Sequence, residues 1–318
     1  MSKYTLTFEK PLKDIEDKIL SLKNTSNKTG VDVSQQIVTL EKELRNKSLE
    51  IYKNLTRWER VQLARHPKRP NTLDYITVIT DNFFELHGDR CFGDDPAIIS
   101  GIGKIDSKSV FIIGHQKGKG TKDKLKRNFG MPKPEGYRKA YRIMQLAEKF
   151  GIPIITFLDT PGAYPGLGAE QRGQAEAIAK NIYKMSFLKT PILSIVIGEG
   201  ASGGALGIGV CDKLLCLENT WYSVISPEGC ASILYHDSTK AEDAADSMKV
   251  TSIDLLKMGI ADGIIEEPIG GAHNDLFSTG ELVKESILQF INEYEQKSID
   301  ELINNRVKKY DSMGKWDE

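Results

Sequence analysis

The chain has 318 residues, enough for two ordinary domains or one large domain with appendages, which excludes a small disulfide-stapled scaffold. Its 43 Lys and Arg against 44 Asp and Glu leave a formal charge of −1, so it does not grip nucleic acid by neutralising phosphates over its whole surface. With 40% apolar and 27% charged residues, the composition is that of an ordered globular protein.

The N-terminus, Met-Ser-Lys-Tyr-Thr-Leu-Thr-Phe-Glu-Lys, has no continuous apolar stretch and no small-residue cleavage site. No secretory signal is read, and the cytoplasm is the default compartment. Residues 8–65 are rich in Lys, Glu, Leu and Ile. Leu12, Ile15, Ile19 and Leu22 form one helical pattern, and Ile37, Leu40, Leu44, Ile51 and Leu55 form a second with heptad-like spacing. Residues 24–30 between them read as the turn of a helical hairpin, which must find a packing partner on the main domain or on a second chain. His66-Pro-Lys-Arg-Pro70 breaks the helix, and the texture beyond it is α/β.

Residues 111–114, 152–159, 192–198, 213–218 and 222–226 are β-branched runs that end in Gly, Pro, Asp or Ser. Helical patterns lie between them, at Pro134–Phe150 with Pro at its start and Glu135 in its first turn, and at residues 169–188. Apolar runs such as 152–158 and 192–197 are strand-length, far short of the roughly 18 residues a membrane helix needs. Leu282, Ile287, Leu288, Ile291, Ile299 and Leu302 predict terminal helices. The expected organisation is an assembly hairpin over residues 1–70, an α/β core over 71–280 and a helical tail over 281–318. Cys91, Cys211, Cys216 and Cys230 show no C-x-x-C pair and no zinc spacing, and are read as four buried, reduced thiols.

The most informative stretch is Gly198-Glu-Gly-Ala-Ser-Gly-Gly204, between an apolar strand and a small-residue helix. It admits three readings. As G-x-G-x-x-G through Gly198, Gly200 and Gly203 it matches a dinucleotide fingerprint with Glu218 as ribose acid, hence an NAD-dependent oxidoreductase. As G-x-S-x-G it is a nucleophile elbow with Ser202 attacking, Asp212 or Asp237 following, and His236 or His273 as base. As a bare helix N-terminus, Gly203 and Gly204 present N–H groups that stabilise an anion without any side chain. A second glycine turn, Thr160-Pro-Gly-Ala-Tyr-Pro-Gly166, has no place in the dinucleotide reading, and only five histidines limit the second.

Other signals carry less. Lys117-Gly-Lys-Gly-Thr121 lacks the phosphate-loop order. Ser247-Met-Lys-Val250 has a helical neighbourhood unsuited to a biotinylated Lys249. Residues 117–127, with Lys117, Lys119, Lys122, Lys124, Lys126 and Arg127, read as a mobile basic loop, solvated or docking an acidic partner. Asp89, Asp94 and Asp95 read as turn and cap residues, not metal ligands.

Phe84-Glu-Leu-His-Gly-Asp-Arg90, Asn128-Phe-Gly-Met-Pro132, Pro134-Glu-Gly-Tyr-Arg-Lys-Ala140, Asp159-Thr-Pro-Gly-Ala-Tyr-Pro-Gly166, the glycine stretch at 198–205, Tyr222-Ser-Val-Ile-Ser-Pro-Glu-Gly-Cys-Ala-Ser-Ile233 and Gly270-Gly-Ala-His273 occur in this order. Together they resemble the carboxyltransferase alpha subunits of bacterial-type acetyl-CoA carboxylase, nearly end to end. The resemblance implies a crotonase-like (ClpP/crotonase) α/β fold of stacked ββα turns. It implies an α2β2 complex with a beta subunit, and transfer of a carboxyl group from carboxybiotin on the biotin carboxyl carrier protein to acetyl-CoA, giving malonyl-CoA, the committed step of fatty acid synthesis. ATP is then used by a separate biotin carboxylase, and no metal is expected in this chain. By the same resemblance Gly203 and Gly204 form a backbone oxyanion hole for biotin, with Gly162, Ala163 and Ser202 near the substrate. A crotonase-type acyl-CoA hydratase is the remaining alternative within that fold.

Overall fold

The computed structural model describes residues 4–314. The chain opens with α1 (Lys10–Thr29) and α2 (Ser34–Lys53), which pack on each other as the expected hairpin. The turn falls later than the polar sequence suggests. Thr25 and Thr29 donate their hydroxyls to the Ser21 and Thr25 carbonyls, so these residues continue α1 until Gly30 ends it at φ +71°. Tyr52 on α2 donates to the buried Glu9 carboxylate at 2.6 Å. Next come α3 (Arg57–Ala64), started by a Thr56/Glu59 capping box, and α4 (Thr72–Ile79). Val61 and Ala64 of α3 pack with Ala201, Trp221 and Val250.

The core then runs β1 (Asn82–Glu85), β2 (Ile98–Ile105), β3 (Lys108–His115), α5 (Gly120–Lys126), α6 (Pro134–Phe150), β4 (Ile154–Thr160), α7 (Leu167–Gln171), α8 (Gln174–Met185), β5 (Ile192–Ala201) and α9 (Ser202–Leu206). It continues with β6 (Lys213–Leu217), β7 (Trp221–Ser223), α10 (Pro227–Leu234), α11 (Ala241–Met248), α12 (Ser252–Lys257) and β8 (Gly263–Ile265), and closes with α13 (Leu276–Tyr294) and α14 (Ile299–Asp311). The strands form one sheet in the order β1-β2-β3-β4-β5-β6-β8, antiparallel through β3 and parallel from β3 onward. The last three residues of β5 pair with β7 in place of β6, while Gly200 keeps its pairing with Thr160 of β4.

Every residue of β4 and β5 is buried, because helices cover both faces. Tyr137, Ile143 and Met144 of α6 pack on one face, and Tyr75 of α4 with Val283, Ile287 and Phe290 of α13 on the other. α14 is docked by the fully buried Arg306, which pairs with Asp212 and donates to the carbonyls of Met185, Leu188 and Thr190.

Four details differ from the sequence reading. The helical run 169–188 is two helices, since Gly173 at φ +81° separates α7 from α8. Part of the basic run 117–127 is the helix α5. Lys117 is not in solvent but folded onto acids at the strand ends. Of the four cysteines, Cys211 and Cys216 are buried, Cys230 is partly so and Cys91 is exposed, in a turn capped by Asp89.

Candidate functional site

β4 and β5 are parallel neighbours, so the segments that leave their carboxyl ends emerge side by side. After β4, Thr160 Oγ1 accepts from the Gly162 N–H and donates to the Gly162 carbonyl, which folds the chain back into the first glycine turn. After β5 the backbone turns directly into α9, with Ser202 exposed at φ +60°.

The two turns touch. A Cβ on Gly204 would lie 2.4 Å from the Gly162 carbonyl carbon and 2.5 Å from the Ala163 nitrogen. Gly162, Ala163, Ser202, Gly203 and Gly204 are therefore one cluster. A Cβ on Gly203 would meet nothing closer than Ile178, at 3.6 Å. The two glycines thus differ in what demands them: backbone packing at Gly204, and at Gly203 nothing within the chain. The N–H groups of Gly203 and Gly204 belong to the first turn of α9, so they have no intrahelical acceptor. Beside Ser202 and Gly203 opens a mainly apolar hollow of about 370 Å³, walled by Leu206, Tyr222, Leu255 and Tyr310.

Beneath this cluster lies a polar frame that the sequence reading missed. His115, at the end of β3, is fully buried. Its Nδ1 accepts from the Asp159 N–H, and its Nε2 donates to the Gly204 carbonyl at 3.1 Å. Burial pushes its pKa down to about 4, so the ring is neutral. Tyr137 donates its hydroxyl to the same carbonyl at 3.1 Å. Two residues on, Lys117 places Nζ 2.8 Å from Asp159 and 2.5 Å from Glu199, and Arg65 lies 2.6 Å from the other Glu199 oxygen. Burial pushes the Asp159 carboxyl up, against the pull of Lys117. Burial opposes the charge of Glu199 too, yet Lys117 and Arg65 hold it below the usual carboxylate range. The available signal was an acid just before each glycine turn, at the buried end of an apolar strand.

The rival readings of the glycine stretch do not survive this geometry. Gly198 and Gly200 are not loop residues but lie within β5, where a Cβ would strike Asp159 at 2.2 Å and Tyr222 at 2.3 Å. They make room for side chains of the protein itself. Glu218, the ribose acid of that reading, lies 3.7 Å from Arg60 and accepts from the Glu267 N–H. For the nucleophile elbow, Asp212 is held by Arg306, Asp237 caps Thr239 and His273 stacks on His66 at 3.8 Å. His236 is exposed, and Ser202 is left without a base. Asp89 and Asp95 serve as turn and cap acids: Asp89 accepts from three successive N–H groups and Asp95 from the N–H groups of Ala97 and Lys133.

Strand-helix units stacked on a sheet that is parallel from β3 onward give this chain the fold of the crotonase-type carboxyltransferases. Transcarboxylase 12S, solved with methylmalonyl-coenzyme A, shares this fold with a TM-score of 0.60 and 18% identity, over 74% of this chain and 45% of that one. Residues 5–314 match the family described as acetyl co-enzyme A carboxylase carboxyltransferase-like. The acetyl-coenzyme A carboxylase carboxyl transferase subunit alpha of Exiguobacterium sibiricum is 54% identical over 96% of this chain and 99% of its own. That of Staphylococcus epidermidis is 54% identical over 97% and 98%. The chain belongs to this carboxyltransferase alpha-subunit family, which bears out the resemblance, the fold class and the enzyme class expected from sequence. A family of alpha subunits implies a partner subunit. Among the described residues, no group of three or more His, Cys, Asp or Glu is placed to hold a metal, and no helix is long and apolar enough to cross a membrane.

Proposed function

We propose that this chain forms the biotin side of a carboxyltransferase that converts acetyl-CoA to malonyl-CoA. A beta subunit completes an α2β2 complex in the cytoplasm, a carrier protein delivers carboxybiotin, and a separate biotin carboxylase spends the ATP. The α1–α2 hairpin serves assembly, whereas α3, α4 and α13, which fall wholly or mostly inside the expected hairpin and tail segments, pack on the sheet as part of the core.

Carboxybiotin releases its carboxyl group as carbon dioxide, and the electron pair of the broken N–C bond leaves negative charge on the ureido oxygen. The Gly203 and Gly204 N–H groups donate to that oxygen. The ureido nitrogen then takes a proton from the acetyl methyl, and the resulting enolate, held by the beta subunit, attacks the carbon dioxide to form the new C–C bond. Biotin itself is the base, which fits a site whose nearest histidine, His115, is buried, neutral and committed to backbone partners. The apolar hollow beside Gly203 suits a fused-ring ligand and its hydrocarbon arm. One well-placed oxyanion donor is worth about 3 to 4 kcal/mol, and a main-chain amide delivers it without reorganising. Gly162 and Ala163 support Gly204 from below, and Ser202 lies at the rim.

The observation that carries this reading is Gly203, a glycine where an added Cβ would make no more than an ordinary contact, with Ile178 at 3.6 Å, at an amide-presenting turn beside an apolar hollow. Gly203→Val in the reconstituted complex is expected to abolish malonyl-CoA formation from free carboxybiotin while fold and assembly persist. Undiminished turnover would overturn the reading.

A further inference from the structure

α9 has only five residues and cannot hold its own geometry. An isolated helix of that length does not form in water, so the direction of its first-turn N–H groups has to be imposed from outside. The chain beyond it tightens: Ile208 N–H bonds to the Ala205 carbonyl, which leaves the Gly204 carbonyl without a helical donor. Two side chains replace that donor, His115 Nε2 from β3 and Tyr137 Oη from α6, each at 3.1 Å. On its other side the His115 ring accepts from the Asp159 N–H, one residue before the end of β4. A single buried imidazole therefore joins the strand end that launches the first glycine turn to the peptide that anchors the second. Asn181 extends the frame by donating to both the Tyr137 and Gly207 carbonyls.

We infer that His115 is a positioning residue for the transfer step: through Nε2–H it fixes the Gly204–Ala205 peptide, and through that peptide the adjoining ones that carry the Gly203 and Gly204 N–H groups, with Tyr137 as the second clamp. The inference rests on the amide role given above. His115 touches no ligand and transfers no proton, since its one N–H is spent on Gly204. Its loss lets the five-residue helix tilt, and displacement of reacting groups by about 1 Å typically costs about 100-fold in rate.

The test is steady-state kinetics of the assembled complex carrying His115→Leu, His115→Gln and His115→Asn. Gln restores a donor at the Nε2 position toward Gly204, whereas Asn reaches only the Nδ1 position toward Asp159. The expected result is a kcat lower by about 100-fold in His115→Leu and His115→Asn, with KM for acetyl-CoA unchanged and kcat recovered to within about tenfold in His115→Gln. Equal activity of the Asn and Gln variants, a wild-type kcat in His115→Leu, or a change confined to KM would each overturn it. Should His115→Leu fail to assemble, Tyr137→Phe removes one donor to the same carbonyl with no change in ring packing, and is expected to lower kcat about three- to tenfold; an unchanged kcat overturns the inference. Gly203→Val measured alongside separates the two readings. If it is inactive while the His115 variants are normal, only the positioning role falls; if it too is fully active, the amide site falls with it.

Discussion

Gly203 and Gly204 are adjacent, yet replacing each by Ala should fail in different ways. At Gly204 the new Cβ would lie 2.4 to 2.7 Å from three backbone atoms of Gly162 and Ala163, which cannot rotate away. Ordinary contact begins near 3.4 Å, so one glycine turn must retreat by about 1 Å. Overpacking of this kind costs about 1 to 3 kcal/mol, and a shift of that size at reacting groups costs about 100-fold in rate. At Gly203 the new methyl meets only Ile178, at 3.6 Å. The fold should accept it, and exchanging Gly for Ala in a helix adds up to about 1 kcal/mol of stability. On the proposed function, the methyl would nonetheless stand where the biotin ring approaches. Thermal unfolding of the two variants, with malonyl-CoA formation in the complex, separates the cases. Gly204→Ala is expected to lose several degrees together with activity, and Gly203→Ala to lose activity at an unchanged or raised midpoint. A Gly204→Ala protein with wild-type Tm would refute the packing argument, and a fully active Gly203→Ala would refute the assignment of the open face to ligand.

Two further outcomes follow from buried polar groups. Arg306→Ala strands the Asp212 carboxylate and the carbonyls of Met185, Leu188 and Thr190 in the interior, and should cost about 3 to 5 kcal/mol in denaturant unfolding, with Arg306→Lys recovering little because one ammonium cannot replace five bonds. An unfolding midpoint within error of wild type would show that α14 is held by something else. Acid should destabilise the protein well before its carboxylates titrate. Burial lowers His115 to about 4, and burial together with the neighbouring His66 and Arg69 lowers His273 to about 3, so the unfolded chain takes up these protons first and stability is lost as pH falls below about 6.5. His115 alone accounts for about 3 kcal/mol between pH 6.5 and about 4, about 2 kcal/mol of it above pH 5. A flat Tm between pH 7 and pH 5 would contradict it.

What sequence reveals here depends on how far apart the deciding partners lie. α6 is legible to the residue, because Pro134 starts it and Gly151, at φ +63°, stops it, both by local backbone chemistry. The buried parallel strands show themselves as apolar runs, interrupted in β4 by Thr156 and in β5 by Ser194, whose hydroxyls pair with each other at 2.7 Å. Gly162, Ala163, Ser202, Gly203 and Gly204 could be named as candidates because glycine turns after such strands are local patterns. That they touch is a consequence of parallel pairing between β4 and β5. His115 could not be found this way, since its partner Gly204 is 89 residues distant and a lone histidine in an apolar strand has no pattern. Lys117 was misread for the same reason: among six basic residues in eleven, nothing local marks the one that turns inward to Asp159 and Glu199. The Gly198 and Gly200 fingerprint misled because glycine that makes space for Asp159 and Tyr222 looks the same in one dimension as glycine that makes space for a ligand.

On the proposed function, the electrostatics of the frame bear on why an anion site here would use amides. Two carboxylates, Asp159 and Glu199, and two cations, Lys117 and Arg65, lie under the glycine turns, and each cation is within salt-bridge distance of an acid. Arg65 also reaches Glu228 at 2.5 Å. Both cations of this network are spent on acids, and neither is left over for a ligand. That suits a step in which the ureido anion must be stabilised enough to form and still be basic enough to take a proton from a thioester methyl. A free lysine at the same place would hold the anion by full Coulomb attraction in a poorly solvated setting and would lower its basicity with it. Amide dipoles fixed by His115, Tyr137 and the Gly162–Ala163 peptide would give a smaller, directional stabilisation, and the ionic network beneath supplies rigidity to the strand ends while keeping both of its cations paired.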